Sequence, residues 1–295
     1  MNSYIYTRII LYNIAFTIKG AALMEFMPMD KSKLANFYLD LQDVEEKINS
    51  MEWKLDLPQG VKDKWERGLP VFSELQVRAD EDLVHEMLQR VVESCRKWQI
   101  GPQTIPADTG SIIANMTKEE KISLAAAIIS NDNTAKESWR KKLNLSEEMM
   151  EFLVLNTARP FLKGFAAQVL SQLKVENWNK GYCPVCGDSP SMSRLAGKYG
   201  VRMLHCGRCE TEWRYARVGC PFCGTTDASQ LSFITADDYK QYRLYLCEQC
   251  KSYLKTVDER HCAEVDLFCE DLATADFDRL ALKEGYRRGD KRYRA

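Results

Sequence analysis

Four cysteine pairs, each with two residues between its partners, constrain this chain more than any other feature. They begin at Cys183, Cys206, Cys220 and Cys247, so eight of the eleven cysteines fall within one third of a chain of 295 residues. In a large chain this clustering is typical of reduced thiolates that bind metal, and not of a disulfide scaffold. The pattern therefore predicts a reducing compartment, the cytoplasm.

The spacing divides the four pairs into two sets. In the first set, 19 residues lie between Cys186 and Cys206, and in the second set 23 residues lie between Cys223 and Cys247. Only ten residues separate the two sets. Each set has the form of a four-thiolate site built from two knuckles. We therefore predict two metal ions per chain. The predicted ligands are Cys183, Cys186, Cys206 and Cys209 for one ion, and Cys220, Cys223, Cys247 and Cys250 for the other.

The residues around the cysteines repeat between the two sets. A glycine follows the first pair of each set, at Gly187 and Gly224, where a knuckle commonly needs a positive φ. An arginine stands four residues before the third cysteine of each set, at Arg202 and Arg243. The segments VRMLH, EWRYARV, YRLYL and SYLKTV have the composition of strands. We predict two tandem ribbons, each closed by a metal ion that contributes folding energy on the order of 10 kcal/mol.

The chemistry of such sites excludes several functions. Tetrahedral sulfur ligation suits Zn²⁺ or a single iron, and the spacing does not separate the two metals. Four thiolates leave no open position at which the ion could activate water, so we predict no catalytic residue and no enzyme activity. Among the histidines, His85 is interpreted as a surface or boundary residue, His205 as a strand residue and His261 as a loop residue.

The sequence before the cysteines predicts helices. Apolar residues recur at three- and four-residue steps in two stripes, and Thr117 with Glu120 predicts a capping box. The three remaining cysteines, Cys95, Cys262 and Cys269, lie on segments with a helical pattern and are interpreted as core or inert thiols. The first stripe comprises Leu34, Phe37, Leu41, Val44, Ile48 and Met51, and the second comprises Leu83, Val84, Met87, Leu88, Val91, Val92, Cys95 and Trp98.

Charge and hydropathy disfavour nucleic acid and membranes as partners. The chain has 41 basic and 42 acidic residues, and residues 181–255 carry ten Lys or Arg against seven Asp or Glu, a net +3. Two four-thiolate divalent sites of charge −2 each would bring this region to about −1, whereas phosphate binding needs unopposed cations. The apolar run between Arg8 and Lys19 has ten residues, too few to span a bilayer, and its flanks are not typical of a signal peptide.

Four motifs together resemble the FdhE family of formate dehydrogenase accessory proteins. They are YCPVCG at Tyr182, RMLHCGRCETEWRYARVGCPFCG at Arg202, CEQCKSYLKTVDE at Cys247 and EDLATADFDRLALKEGYRR at Glu270. The resemblance covers residues 182–288. The family usually ends in Asn-Pro, whereas this chain ends in RRGDKRYRA, and the segment before Met24 has no recognised counterpart.

The resemblance implies an α+β protein: an N-terminal all-α helical domain, two tandem rubredoxin-like or zinc-ribbon modules, and a C-terminal helix. We expect these limits: an extension at 1–29, the helical domain at 30–180, ribbons at 181–215 and 216–258, and the last helix and tail at 259–295. In the last helix, Leu272, Ala273, Phe277, Leu280 and Ala281 are expected on one face, before Gly285.

The resemblance also implies a function. The chain would be a cytoplasmic maturation factor that binds the catalytic subunit of respiratory formate dehydrogenase and is required for its activity. Its metals would be iron or zinc, and a homo-oligomer is left open. The alternatives are a rubredoxin-like electron-transfer protein and a nucleic-acid-binding zinc ribbon. Exposed aromatic residues are expected to anchor the partner: Trp213, Tyr215, Phe222 and Tyr253.

Overall fold

A computed structural model describes residues 31–290 except 54, 76, 237 and 238. It contains two compact units: one takes its described residues from 31–52 and 77–161, the other from 53–75 and 162–290. The domain limits expected from the sequence stay a prediction. The N-terminal extension at 1–29, with its apolar run, lies outside the described residues. Within the part of the chain that is described, no helix is long and apolar enough to cross a membrane.

Seven α-helices precede the cysteine region in the described residues. The two predicted apolar stripes form the buried sides of two helices, with Phe37, Leu41, Met87 and Val91 wholly inaccessible to solvent, although Met51 lies beyond the end of the first helix. The predicted capping box at Thr117 and Glu120 is present, which confirms that prediction. The helices are α1 (Lys31–Asn49), α2 (Gln59–Glu66), α3 (Glu81–Trp98), α4 (Thr109–Ala114), α5 (Lys118–Ser130), α6 (Asn133–Lys142) and α7 (Glu147–Leu170).

The second unit is built on one seven-stranded sheet. Its strands are β1 (Pro190–Ala196), β2 (Val201–Cys206), β3 (Glu212–Arg214), β4 (Leu231–Ala236), β5 (Tyr239–Cys247), β6 (Ser252–Asp258) and β7 (Arg287–Arg288). The strand order is β3-β2-β1-β6-β5-β4, and β7 pairs with β6. Two antiparallel meanders, β1–β3 and β4–β6, correspond to the two predicted ribbons.

A parallel pairing joins the two ribbons. β1 and β6 run side by side in register from Met192 opposite Lys255 to Leu195 opposite Asp258. The sequence did not predict this pairing, because the two strands lie far apart in the chain. The fold class is nevertheless confirmed: a helical N-terminal region is followed by a mixed region that contains both cysteine groups.

The C-terminal helix is present as two short helices, α8 (Leu267–Ala273) and α9 (Ala275–Lys283). The break falls at Thr274, where the Lys255 ammonium donates to the main-chain oxygens of Asp271 and Thr274, at 2.7 and 3.4 Å. On the predicted apolar face, Ala273, Phe277 and Ala281 are buried, while Leu272 and Leu280 are partly exposed. The helices therefore pack on one face of the sheet, where the Phe277 ring lies 6.0 Å from that of Tyr242.

Candidate metal centres

The eight paired cysteines lie in two groups of four. The first cysteine group comprises Cys183, Cys186, Cys206 and Cys209, and the second comprises Cys220, Cys223, Cys247 and Cys250; within each, all sulfur atoms lie within 4.8 Å of one another. The sequence grouped the cysteines in the same way. That they ligate metal stays a prediction.

The sulfur spacing fits a tetrahedral ion. In the first group the Cys183–Cys209 and Cys186–Cys206 sulfur distances are 3.5 and 3.4 Å. In the second group the two corresponding distances are both 3.7 Å. Four sulfurs at about 2.3 Å from a central ion would be separated by about 3.8 Å. The two groups could therefore hold two metal ions, and the spacing suits zinc and iron equally.

The first knuckle of each group has the predicted backbone. Gly187 and Gly224 have φ values of +77° and +80°. Each glycine N–H donates to the carbonyl of the first cysteine in its pair, at 3.0 Å to Cys183 and 2.9 Å to Cys220. This turn brings two thiols to one side of the chain, so that both can reach the same ion.

The second knuckle of each group makes a similar turn without glycine. Glu210 and Lys251, each directly after the second cysteine of its pair, have φ values of +55° and +54°. The Glu210 carboxylate forms an ion pair of 2.5 Å with Lys163, which holds the side chain in place. The sequence did not indicate a positive φ at Glu210 or Lys251, because neither residue is a glycine. In all four knuckles, however, the residue with positive φ directly follows the second cysteine of the pair.

Burial makes the thiols of the first group dependent on a cation. Cys183, Cys206 and Cys209 are almost inaccessible to solvent, and burial raises the pKa of the Cys183 and Cys206 thiols well above the usual value. Four thiolates could coexist here only if a positive ion lay between them. The Val185 N–H donates to the Cys183 sulfur at 3.4 Å, and the Thr211 hydroxyl oxygen lies 3.2 Å from the Cys209 sulfur. The donor set therefore suits a metal–thiolate centre.

The second cysteine group is more open. Cys223 and Cys250 are both partly exposed, whereas Cys186 is the one partly exposed member of the first group. Burial raises the pKa of the Cys220 thiol. A cavity of about 270 Å³ lies against Cys220 and Cys247. Solvent and solutes therefore have better access to the second group.

A segment distant in sequence covers the first cysteine group. The backbone N–H groups of Val71 and Phe72 donate to the carbonyls of Pro184 and Val185, at 3.2 and 2.9 Å. The Trp65 indole also donates to the Pro184 carbonyl, at 3.2 Å. Residues 53–75 therefore support the knuckle from outside, a contact that no local sequence signal predicts.

The two arginines that repeat between the sets have different roles. Arg202 is 3% exposed, donates to the Gly219 carbonyl at 2.8 Å and stacks over the Tyr245 ring at 4.9 Å. It thus links β2 to the second ribbon. Arg243 instead forms an ion pair of 2.6 Å with the buried Asp258.

The histidines lie outside both cysteine groups. His205 is buried in β2, where burial lowers its pKa, and His261 lies in the loop after β6, so both placements are as predicted. His85 is buried rather than at the surface, with its Nε2 2.8 Å from the Ile113 carbonyl. Cys95 and Cys269 are buried in helices, and burial raises the Cys95 pKa to about 12. Cys262 lies in a loop, so the helical interpretation of its segment is wrong.

The expectation of exposed aromatic anchors is wrong for three of the four residues. Trp213 is fully buried, and its indole N–H donates to the main-chain carbonyl of Lys180 at 2.9 Å. Tyr253 is 4% exposed and donates to Asp278 at 2.7 Å. Phe222 is also buried, and Tyr215 alone is partly exposed.

The motif residues near the C-terminus form an ionic cluster around the buried Lys255. The Lys255 ammonium lies 2.7 Å from a carboxylate oxygen of both Asp271 and Asp278. Arg288 adds a second cation at 2.5 Å from the Asp271 carboxylate. These residues come from the CKSYLK and EDLATADFDRLALKEGYRR motifs, so the motifs encode the attachment of α8 and α9 to the sheet.

Comparison with known proteins agrees with this architecture. Residues 182–217 match the family described as FdhE, central domain, and residues 218–292 match FdhE, C-terminal domain. An FdhE homolog of Aquifex aeolicus (strain VF5) is 29% identical over 177 residues, which are 59% of this chain and 58% of that protein. Protein FdhE of Escherichia coli (strain K12) is 36% identical over 110 residues, 36% of this chain and 35% of that protein.

A solved structure shares the fold. The crystal structure of the FdhE protein from Pseudomonas aeruginosa superposes with a TM-score of 0.60 at 19% identity, over 98% of this chain and 94% of that one. The matches cover 58% and 35% of the lengths of these curated relatives, so this chain spans less than two thirds of either. Residues 182–292 therefore match the central and C-terminal domains of the FdhE family, which confirms over that range the resemblance inferred from the sequence.

Proposed function

We propose that this chain is an accessory protein of formate dehydrogenase that binds the catalytic subunit of the enzyme in the cytoplasm and is required for its activity. The presence of both FdhE domains in residues 182–292 carries the proposal. The two cysteine groups, built into one sheet, add support, because metal-closed knuckles are rigid and present neighbouring side chains in a fixed arrangement.

The donor sets favour a structural role for the metals. Each group offers four sulfur ligands, which fill the coordination of a tetrahedral ion and leave no position for a substrate. The eight cysteines would hold two ions, and the ions would cross-link knuckles that have little core of their own. We therefore propose that the protein acts by binding and not by catalysis.

One observation favours a second candidate function, electron transfer. The partly exposed Cys223 and Cys250 would place one side of an iron–thiolate centre close to solvent, where an electron partner could approach. A reversible one-electron change in the visible absorption of the iron-loaded protein would support this candidate. A zinc-loaded protein that restores formate dehydrogenase activity in cells would contradict it.

A deletion strain tests the proposed function. Respiratory formate dehydrogenase activity is measured in cells that lack this chain and in cells complemented with the wild type or with a Cys183→Ser, Cys220→Ser double variant. We expect activity with the wild type alone, while an unrelated respiratory dehydrogenase stays unchanged in all strains. Full formate dehydrogenase activity in the deletion strain would contradict the proposal. Binding is tested by capture of the purified catalytic subunit on the immobilised, metal-loaded chain.

A further inference from the structure

A groove lies on the sheet face opposite α8 and α9. Its floor is a row of three side chains in register across β4, β5 and β6: Phe233, Tyr245 and Leu254. These side chains point away from the helices, because neighbouring Tyr253 and Lys255 on β6 contact α9 and side chains alternate along a strand. The loop 217–222 forms the opposite wall of the 270 Å³ cavity.

The mouth of the groove exposes apolar surface. Phe233 is 50% exposed and Val218 is 53% exposed, and both line the cavity. The Phe233 ring lies 5.5 Å from that of Tyr245, and the guanidinium groups of Arg243 and Arg202 lie 4.9 Å from the centres of the two rings. Exposed apolar patches beside a cavity mark sites of interaction. An apolar cavity of about 150 Å³ holds a benzene molecule, so this groove has room for one large side chain.

Among the described residues that line the groove, the charged side chains are three arginines. They are Arg202, Arg217 and Arg243, and no aspartate or glutamate is among these described residues. Arg243 pairs with Asp258, a carboxylate that it shares with Arg260. Arg217 is exposed and donates to the Gly200 carbonyl at 2.8 Å, and within the described residues no carboxylate lies at ion-pair distance from it.

A metal in the second cysteine group would add negative charge to part of the groove lining. Cys220 and Cys247 line the groove, and four thiolates around a divalent ion carry a net charge of about −2. Arg202 donates to the Gly219 carbonyl, next to Cys220. The exposed Arg217 lies in the same loop as Cys220 and would remain available to pair with a carboxylate of a partner.

We propose that this groove binds a segment of a partner protein in which a large apolar side chain lies next to an aspartate or glutamate. The apolar side chain packs against Phe233 and Tyr245, and the carboxylate pairs with Arg217. The inference rests on the proposed function, which makes the partner the catalytic subunit of formate dehydrogenase. It assigns the recognition of that subunit to β4, β5 and the loop 217–222.

The test measures the Kd of the full-length, metal-loaded chain for the purified catalytic subunit. Phe233→Ala and Arg217→Glu each raise the Kd about tenfold or more, as expected for central contacts of an interface. Leu282→Ala and Arg67→Glu are matched controls, because both residues are exposed in the same unit and neither lines the groove. The wild-type Kd rises more steeply with salt than that of Arg217→Glu. Metal content and the unfolding midpoint confirm that the variants fold.

The outcomes separate this inference from the proposed function. Wild-type binding with an unchanged Kd in both groove variants would overturn the inference and leave the accessory role standing. Failure of the wild type to bind the subunit would overturn both. A wild-type dimer that becomes a monomer in Phe233→Ala, measured by light scattering, would assign the groove to a second copy of the chain and overturn the inference.

Discussion

The ammonium of Lys255 on β6 lies 2.7 Å from the carboxylate of Asp278 on α9. The lysine side chain is 3% exposed, and Asp271 on α8 supplies a second carboxylate at the same distance. The lysine therefore ties both C-terminal helices to the sheet, and Arg288 adds a second cation beside Asp271. Loss of the lysine would leave Asp278 without its ammonium partner.

Lys255→Met is expected to destabilise the protein by about 1–3 kcal/mol, because two partly buried carboxylates lose a shared cation, although Asp271 keeps its pair with Arg288. Urea unfolding of the metal-loaded protein measures the change. Lys251→Met serves as the control, since Lys251 is exposed and its ion pair with the nearby Glu248 is worth about 1 kcal/mol or less. Equal effects of the two substitutions would show that the ionic cluster around Lys255 does not stabilise the fold.

Cys183→Ser and Cys220→Ser should each remove one metal ion per chain, because they belong to different cysteine groups. Metal analysis of the purified variants gives the count. Cys262→Ser is the control, since Cys262 lies outside both groups, and it should keep the wild-type metal content. Full metal retention in both cluster variants would contradict the ligand assignment.

The second cysteine group is expected to release its ion first under a chelator, because two of its four thiols are partly exposed and a cavity adjoins it. The single-site variants separate the two rates: Cys183→Ser keeps the second group, and Cys220→Ser keeps the first. Release monitored with a metal-sensitive dye should be several-fold faster from Cys183→Ser. Faster release from Cys220→Ser would show that exposure does not control access.

Alanine substitutions at two glycines should change the free energy of unfolding in opposite directions. Gly224 has φ +80°, and an added Cβ there would contact nothing within 4 Å, so Gly224→Ala costs about 1 kcal/mol through the backbone alone. Gly60 lies in α2 with equally open surroundings, and Gly60→Ala should stabilise by about 0.5–1 kcal/mol. Unfolding midpoints of the two variants measure both effects. A stabilising Gly224→Ala would contradict the backbone assignment of the knuckle.

Asp40 is expected to stabilise the helical unit at neutral pH and to lose this contribution in acid. Burial alone would raise its pKa, but hydrogen bonds from Lys97 and Trp98 hold the pKa below the ordinary value of an aspartate. Because the folded pKa is the lower one, the stabilisation is complete above the unfolded pKa and disappears as the pH falls through the folded pKa. Asp40→Asn should therefore cost about 1–2 kcal/mol at pH 7.

The difference between Asp40→Asn and the wild type should shrink below about pH 4, since the wild-type carboxyl then also becomes neutral. Trp98 fluorescence during urea unfolding reports the transition, because its indole donates to the same carboxylate at 2.8 Å. Asp43→Asn is the control, since this carboxylate is 55% exposed and pairs only with Arg90. A pH-independent effect of Asp40→Asn would contradict the ionic origin.

Local features of this chain were predictable from the sequence, because their signals lie within a few residues. The spacing of the cysteines indicated their two groups, and Gly187 and Gly224 indicated the knuckle turns. Helical periodicity identified the buried sides of α1 and α3. Each of these features depends on a short stretch of chain and on backbone rules that hold in any fold.

Features that depend on distant segments were not predictable. Trp213 has the character of an interface residue, but whether it is exposed depends on the chain near Lys180 that covers it. The support of Pro184 by Trp65 joins residues more than a hundred positions apart. Likewise, Glu210 and Lys251 adopt a positive φ that their side chains disfavour, because the knuckle geometry requires it.

The parallel pairing of β1 with β6 has a consequence for the order of events during synthesis. Residues 192–195 of β1 find their partners at residues 255–258, about sixty positions later in the chain. At typical translation rates that interval lasts about 3–12 s. During this interval the first ribbon can close around its ion, but β1 still has one edge without a hydrogen-bonded neighbour. Such unpaired strand edges are prone to aggregate or to bind chaperones. The second ribbon thus completes the first as it emerges from the ribosome.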